Sequence, residues 1–317
     1  MKRKLFASFS GGLTSAVMTK AIHDKLSDKF DITVVFANTG CEDEATMEFV
    51  ERCDNKFNWG VTWVEALVDQ RKGKGVRHKV VDFRSASREG EPFREVIKKY
   101  GIFNNSNPAC TDRLKLLPMK SYLKTIGFEF GNKLNHLTAI GFRADEADRC
   151  SINADKFGFI YPLVRWGLTK RDVAIEAKKW GIKLDLKGDH YGNCKWCWKK
   201  SFRKLQTLAL EDPSVFDFPK QMEKEFGSSR PEMKNKAEDG KAYFFRNHKS
   251  VDDIIEMSKS SFVEYVDDPY THAHDFDPLL DVGGGCGDSC DIGGDYMMEQ
   301  EFDFMKNYRK HNLDMSY

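Results

Sequence analysis

The chain has 317 residues, and its 50 Lys and Arg residues nearly balance its 49 Asp and Glu residues, which gives a formal net charge of +1. This balance excludes an overall electrostatic field that favours nucleic acid or a membrane surface, so any such binding must come from local patches. No apolar stretch approaches the length of a membrane span, and we expect a cytoplasmic protein. In that compartment its eight cysteines are better explained as metal ligands, redox groups or buried thiols than as disulfides.

The first motif is an apolar run, a glycine turn and a helical pattern. Residues 5–9 read as a buried strand, and an amphipathic helical pattern follows the turn as far as about Leu26. Glycines let the backbone of such a turn approach a ligand, and the start of the helix presents unpaired N–H groups with partial positive charge. The turn therefore predicts an anion site, best explained as a phosphate site, with a plain turn before a helix as the alternative. Its candidate binding residues are Ser10, Gly11, Gly12, Thr14 and Ser15.

Strands and helices alternate along the next part of the chain. Further strands are predicted at residues 31–37, 61–66 and 136–142, with a short one at 159–163, and helices between them. This alternation predicts an α/β fold with a doubly wound parallel sheet. Ligands of such sheets bind beyond the carboxyl ends of the strands, and the second strand ends in Asn38, Thr39 and Gly40.

Residues 68–92 form a long basic connection that interrupts this alternation of strands and helices. Its seven cations predict either a solvated flexible loop or a lid over an anionic substrate. Farther on, Thr111 is a candidate N-cap, and Thr169 with Asp172 forms a candidate capping box. We place an α/β nucleotide-binding domain at residues 1–200 and a mostly helical extension with a Gly- and Cys-containing tail at residues 201–317.

Two arginines follow the strand at residues 136–142. Arg143 and Arg149 suit phosphate or sulfate recognition, because a guanidinium presents a fixed fork of donors. The carboxylates between them, Asp145 and Glu146, are candidates either to orient these arginines or to hold a metal ion. Ordinary surface charge is the alternative.

The cysteines give the sharpest local signal after the glycine turn. Cys194 and Cys197 are two residues apart, so both sulfurs can face one metal or cluster. Five basic residues at positions 195–204 would favour thiolates there. A pair alone does not separate zinc, iron–sulfur and dithiol chemistry, and a four-ligand site needs further cysteines. The candidates are Cys110, Cys286 and Cys290, whereas Cys41, Cys53 and Cys150 are better explained as packed or semi-exposed thiols.

Several motifs, in order from residue 8 to residue 198, resemble one family. They are Ser8-Phe9-Ser10-Gly11-Gly12-x-Thr14-Ser15, Asn38-Thr39-Gly40, Ser87-Arg88-x-Gly90-Glu91-Pro92-Phe93, Cys110-Thr111-x-x-Leu114-Lys115, Gly141-Phe142-Arg143-Ala144-Asp145-Glu146-x-x-Arg149 and Asn193-Cys194-x-x-Cys197-Trp198. Together they resemble the PAPS reductase-like family of the adenine nucleotide α-hydrolase superfamily, which contains the PP-loop ATP pyrophosphatases. Thr14 stands where most of these families have Asp. Forms with Thr in the loop and a long tail are common in phage and mobile-element proteins.

The resemblance implies a bound adenine nucleotide, either ATP or an adenylyl sulfate such as PAPS, with Mg²⁺ as a further candidate ligand. Its phosphates would lie on the glycine turn, its adenine near Phe36, Ala37 and Asn38, and its distal anion on Arg143 and Arg149. The other candidate binding residues are Asn38, Thr39, Gly40, Asp145 and Glu146.

The resemblance also implies a metal centre and a catalytic set. The spacing between Cys110 and Cys194 is close to that in iron–sulfur adenylyl-sulfate reductases. Cys110, Cys194 and Cys197 would hold a 4Fe-4S cluster, either with Cys290 or Cys286 as a fourth ligand or with one iron left open. Zinc in place of the cluster, and a site without any metal, are the alternatives. Lys115 is a candidate catalytic residue. Cys286, on a glycine run, is a candidate nucleophile.

Three functions remain open from the sequence. The first is an oxidoreductase that reduces a sulfonucleotide. The second is a transferase that adenylates an acceptor with ATP and then delivers sulfur, including thiolases that act on nucleic acid. The third is a nucleotide-sensing or partner-binding protein without catalysis. Nucleic acid, a thiol donor and a second copy of the chain are the candidate partners.

Overall fold

The computed structural model describes residues 2–229 and 236–266. Its centre is a six-stranded sheet made of β1 (Arg3–Ser8), β2 (Phe30–Asn38), β3 (Thr62–Val68), β4 (Val76–Val81), β5 (His136–Ala139) and β6 (Phe159–Ile160). The strand order is β4-β3-β2-β1-β5-β6. Only the β3–β4 pair of this sheet is antiparallel. The predicted α/β fold with a mostly parallel sheet is confirmed.

Helices connect and cover the strands. They are α1 (Leu13–Leu26), α2 (Glu44–Phe57), α3 (Glu91–Tyr100), α4 (Leu117–Thr125), α5 (Ala154–Phe157), α6 (Pro162–Arg165), α7 (Lys170–Lys178), α8 (Phe202–Glu211), α9 (Asp217–Phe226) and α10 (Val251–Ser258). The predicted capping box is present at α7, where the Thr169 side chain accepts from the Asp172 N–H and the Asp172 carboxylate accepts from the Thr169 N–H. None of the helices in the described ranges is long and apolar enough to cross a membrane.

The central strand β1 is buried on both faces, which explains its continuous apolar sequence. Leu5 and Ala7 belong to one buried cluster, together with Val17 of α1 and Phe49 of α2. Phe6 belongs to another cluster, which includes Leu123 of α4. Helices therefore cover both faces of the sheet, and the carboxyl end of β1 opens directly into the glycine turn.

The basic connection is more regular than the sequence analysis predicted. Its middle forms β4, which pairs with β3 in a register that sets Trp63 opposite Val81 and Leu67 opposite Arg77. The prediction of a structureless loop or lid was wrong for this segment. Charged residues on a strand mask its hydrophobic pattern, and such charges are common on edge strands because they discourage pairing with another chain.

The segment after Cys110 also differs from its prediction. Thr111 has helical torsions (φ −59°, ψ −46°) and makes no capping hydrogen bond, so the predicted N-cap is wrong. The helical turn starts earlier, because the Arg113 N–H already donates to the Ala109 carbonyl. Asp112–Leu116 forms a π-helical turn that continues into α4, a feature frequent at functional sites.

The extension after residue 200 is mostly helical where the structure describes it, in agreement with its prediction. Phe218 of α9 lies over Gly90, where an added Cβ would come within 2.3 Å of the ring. Phe93 of α3 and Phe244 share one buried cluster with Trp196. The extension therefore packs directly on the elements that carry the cysteines. The tail with Cys286 and Cys290 lies outside the described residues.

Candidate nucleotide and cysteine site

The glycine turn is held by a network of hydroxyl groups. The Ser15 Oγ accepts from the Ser10 N–H at 3.1 Å, lies 3.0 Å from the Ser10 Oγ and donates to the Gly12 carbonyl at 3.0 Å. Gly12 precedes α1 without a side-chain cap. The first turn of α1 therefore keeps the capacity to bind an anion through its backbone.

Gly11 is required by both its torsion and its surroundings. Its φ is +80°, and an added Cβ would lie 2.6 Å from Thr46 Cγ2 and 3.3 Å from Phe36 Cε2. Only glycine adopts this conformation without strain and fits this space. The turn thus packs closely on β2 and α2.

Arg143 and Arg149 lie beside this turn, at the carboxyl end of β5. Arg143 Nη1 lies 3.3 Å from Thr14 Oγ1, to which it donates a hydrogen bond. The Arg149 guanidinium lies over the Phe142 ring, 4.2 Å from its centroid, and Phe142 stacks on Tyr161. No local sequence pattern predicts this aromatic support for Arg149.

The two carboxylates between the arginines orient them. Asp145 accepts from Arg143 Nε and Nη2, and Glu146 forms ion pairs with both arginines. Burial acts to raise the pKa of Asp145, but the Arg143 guanidinium outweighs it and the pKa lies below its ordinary value. Glu146 lines the cleft described next, whereas Asp145 does not. Of the two predicted roles, these contacts correspond to the orienting one.

A cleft of about 410 Å³ joins these parts, a volume typical of small-molecule sites. Four basic and two acidic side chains line it, so its charge favours an anionic ligand. These are Lys115, Arg143, Arg149, Lys170, Glu146 and Asp189. All five predicted residues of the glycine turn also line this cleft, as does Ala37.

The second predicted turn, at the end of β2, is less exposed to the cleft than expected. The Asn38 amide is fully buried and donates to Glu65 Oε1 at 2.7 Å and to the Ser87 carbonyl at 2.8 Å. Gly40, at φ +80°, accepts from the Gly90 N–H through its carbonyl. Neither residue lines the cleft, because both are used to join β2 to the segment before α3.

Thr39 instead contacts a second, much smaller cavity, together with three cysteines. Cys110, Cys194 and Cys197 all line this cavity of about 20 Å³. Thr39 Oγ1 lies 3.4 Å from Cys194 Sγ. The structure thus brings together the three cysteines that the sequence singled out from distant positions.

The cavity is too small for a cluster as it stands. Its volume has room for about one water molecule. In the part of the chain that the structure describes, no three His, Cys, Asp or Glu side chains are arranged to hold a metal ion. The donor set nevertheless suits a thiolate-held metal, since three cysteines face one cavity, but the cysteine loops must separate before such a group can enter.

A buried lysine lies beneath the cysteine pair. Lys200 is 2% exposed, and its ammonium donates to the carbonyls of His190 and Lys195. Burial lowers the pKa of Lys200 to about 8, and the nearby Cys197 and Cys194 act in the opposite direction. A buried cation is stabilised by neighbouring negative charge. Lys200 therefore places a positive charge near the cysteine pair. Unlike a solvated residue of the basic run, it does so from the protein interior.

Cys41 lies on the other side of the pair. The Cys41 carbonyl accepts from the Lys195 N–H at 3.0 Å, and Glu42 forms an antiparallel bridge with Cys194. Burial raises the pKa of Cys41 well above its ordinary value, and Cys194 and Glu42 add to this shift. Cys41 is thus a buried neutral thiol, which agrees with its interpretation from the sequence as a packed thiol.

Lys115 connects the two cavities. Both Thr111 and Lys115 line the cleft and also the cysteine cavity. Lys115 Nζ lies 3.8 Å from Glu42 Oε1, a carboxylate with a side chain only 2% exposed. The π-helical turn before α4 carries this lysine to the boundary.

Sequence reasoning missed Glu42 and Lys170, and it counted Lys200 only as one of five basic residues near the cysteine pair. Glu42 directly follows the recognised Asn38-Thr39-Gly40 turn and could have been considered with it. Lys170 and Lys200 stand among other charged residues, and no local pattern separates a buried lysine from a solvated one.

Parts of this chain are similar to known proteins. Residues 4–150 match the model of the phosphoadenosine phosphosulfate reductase domain family. A protein of Escherichia phage lambda, named as an uncharacterized nin region protein, ORF290, is 28% identical over 300 residues, which is 94% of this chain and 97% of that protein. A solved structure of the U34-tRNA thiolase NcsA from Methanococcus maripaludis with its [4Fe-4S] cluster matches 81% of this chain and 72% of its own, at 15% identity and a TM-score of 0.32.

Proposed function

Since residues 4–150 belong to the phosphoadenosine phosphosulfate reductase domain family, we propose that the chain is an enzyme that binds an adenine nucleotide and uses it in sulfur chemistry. The nucleotide is ATP or an adenylyl sulfate. The reaction is either the reduction of a sulfonucleotide or the adenylation of an acceptor followed by sulfur transfer. A relative in a phage is consistent with the expected phage-like form of the family.

One observation supports this proposal above the others. An anion-binding cleft and a cavity with three cysteines share a wall, which contains Thr111 and Lys115. A nucleotide in the cleft would therefore have its reacting end within reach of the thiols. Neither a plain nucleotide sensor nor a structural thiol cluster requires this arrangement.

Each part of the cleft has a role in the proposal. The glycine turn binds phosphate through backbone N–H groups and the hydroxyls of Ser10 and Thr14. Arg143 and Arg149 bind the distal phosphate or sulfate, held in orientation by Glu146. Lys115 neutralises negative charge that develops between the cleft and the cysteines. The adenine lies near Ala37, which lines the cleft.

Cys110, Cys194 and Cys197 hold a metal centre in this proposal. An iron–sulfur cluster suits three thiolates beside a buried cation, and zinc is the alternative metal. When bound, such a cluster carries sulfur or adjusts the local electrostatics. The chain's own contribution is to orient the thiols through Thr39, to bring Lys115 to their side and to place a lysine beneath them.

Anaerobic purification followed by iron, sulfide and zinc analysis tests the metal, and calorimetry with ATP and adenosine 5′-phosphosulfate tests the nucleotide. We expect metal to bind the wild-type protein and to be lost in Cys110→Ser and Cys194→Ser. Cys53→Ser is the matched control, since Cys53 is a buried thiol of α2 in a different cluster.

Two results would contradict the proposal. If neither nucleotide binds to the folded wild-type protein, the cleft has another ligand. If Cys53→Ser loses as much metal as Cys194→Ser, the three cysteines do not form the site.

A further inference from the structure

Glu42 is a buried carboxylate at the boundary between the cleft and the cysteine cavity. The residue as a whole is 5% exposed, and it directly follows the Thr39-Gly40-Cys41 turn. Its carboxylate accepts from the Thr39 N–H at 2.9 Å and from the Thr39 hydroxyl at 2.8 and 2.9 Å. The Thr39 side chain is thereby fixed in the orientation that faces Cys194.

On its other side Glu42 faces Lys115. Glu42 Oε1 lies 3.8 Å from Lys115 Nζ, which is an ion-pair distance but longer than a hydrogen bond. Such a contact is held by charge rather than by a fixed geometry. A strong anion on the cleft side of Lys115 therefore competes with Glu42 for the same ammonium group.

These contacts form a continuous chain from the cleft to a thiol. Lys115 lines the cleft and faces Glu42, Glu42 fixes Thr39, and Thr39 contacts Cys194 at 3.4 Å. The backbone strengthens the last step, because Glu42 and Cys194 form an antiparallel bridge. A shift of Lys115 toward a ligand thus reaches Cys194 through two side chains.

We propose that Glu42 is a positioning residue that couples occupancy of the cleft to the environment of Cys194. An anionic nucleotide draws Lys115 away from Glu42, and the carboxylate then redistributes its contacts with Thr39. The inference rests on the proposed nucleotide site and adds to it a means by which the cysteine responds to the ligand.

Glu42→Gln tests this coupling, because it removes the charge and keeps the size and an acceptor oxygen. In this variant ATP binding no longer requires Lys115 to separate from a carboxylate. We therefore expect ATP to bind about three- to tenfold more tightly. A purely structural role of Glu42 would predict weaker binding. Glu42→Asp restores the charge and should return the affinity toward that of the wild type.

The second readout is the alkylation rate of Cys194 by N-ethylmaleimide, measured on the full chain by peptide mass spectrometry. Trypsin cleaves after Lys195, so Cys194 and Cys197 are quantified on separate peptides. We expect saturating ATP to change the Cys194 rate at least threefold in the wild type and to leave it unchanged in Glu42→Gln.

Glu65→Gln is the matched control. Glu65 is a 2% exposed carboxylate that also accepts backbone and side-chain donors, from Ser87 and Asn38, but it does not line either cavity. The ATP response of Cys194 should persist in this variant. If Glu42→Gln does not fold, Lys115→Gln provides the alkylation test alone, since it removes the other member of the pair: at saturating ATP the Cys194 rate should no longer respond.

The outcomes separate the two proposals. If ATP and adenosine 5′-phosphosulfate both fail to bind the wild-type protein, the proposed function is overturned, and the coupling with it. If a nucleotide binds but the Cys194 rate does not respond, or responds equally in Glu42→Gln and the wild type, the coupling alone is overturned.

Discussion

Arg143 Nη1 lies 3.3 Å from Thr14 Oγ1, and this contact joins the end of β5 to the first turn of α1. The families that this turn resembles mostly have Asp at the position of Thr14, and an Asp here would add a negative charge beside Arg143. A threonine accepts one hydrogen bond without neutralising the guanidinium. Arg143 also forms ion pairs with Asp145 and Glu146, so one guanidinium joins the glycine turn to the segment after β5.

The first prediction concerns this arginine. Arg143→Ala should weaken ATP or adenosine 5′-phosphosulfate binding by about ten- to hundredfold, since a charge-assisted hydrogen bond contributes roughly 1.5–3 kcal/mol. Calorimetry measures the change. Arg94→Ala is the control, because Arg94 pairs with Glu225 on the surface. Equal affinities for Arg143→Ala and Arg94→Ala would show that Arg143 does not contact the ligand.

The second prediction concerns Gly12, where a side chain fits. An added Cβ would meet only Ser10 Oγ at 3.7 Å, and φ is −93°, so Gly12→Asp should fold. Its carboxylate would face the phosphates, and we expect affinity for nucleotide to fall about ten- to hundredfold through charge repulsion. Gly12→Asn has the same shape without the charge and should lose clearly less. The same loss in both variants would point to a steric effect instead.

The third prediction compares two glycines with the same backbone strain. Gly11 and Gly73 have φ of +80° and +78°, but nothing lies within 4 Å of a Cβ at Gly73, whereas Thr46 Cγ2 would lie at 2.6 Å from one at Gly11. Gly11→Ala should therefore lower the free energy of unfolding by about 1–3 kcal/mol more than Gly73→Ala. Urea denaturation of both variants measures the difference. Equal losses would mean that the turn tolerates a methyl group and is less closely packed than described.

The fourth prediction is a pH effect from Glu223 of α9. Burial raises the pKa of this carboxyl to about 7, although the N–H groups of Val251 and Phe244 oppose the shift. Between the ordinary pKa of about 4.3 and this value the folded state binds more protons than the unfolded state, so this contribution to stability is present at low pH and is lost as the pH rises through 7.

Unfolding experiments at pH 5 and pH 8 test the effect. The wild type should lose more stability over this range than Glu223→Gln, by up to about 3 kcal/mol. Glu225→Gln, on the same helix and more exposed, is the control. A pH dependence that is the same in Glu223→Gln and the wild type would contradict the raised pKa.

The local part of the site was predictable because it is encoded by neighbouring residues. A strand, two glycines and a helix start stand next to each other in the sequence, and all five predicted residues of the turn line the cleft. The Thr169 cap of α7 was found for the same reason. Where local signals compete, the predictions failed: Thr111 is a good cap residue in isolation, but the helical turn already begins before it.

The sequence by itself determined the parts of this protein that depend on short-range chemistry: the order of the parallel strands, the glycine turn, the arginine pair and the close cysteine pair. Only the tertiary structure decided which charges are buried and which distant residues meet. It brings Cys110, Cys194 and Cys197 to one cavity. It also buries Lys200, which stands in a basic run of the sequence, and places Glu42 at ion-pair distance from Lys115. The physical reason is that burial and ion pairing depend on the packing of segments that are far apart in the sequence, such as those of Thr39 and Cys194, and no local pattern carries that information.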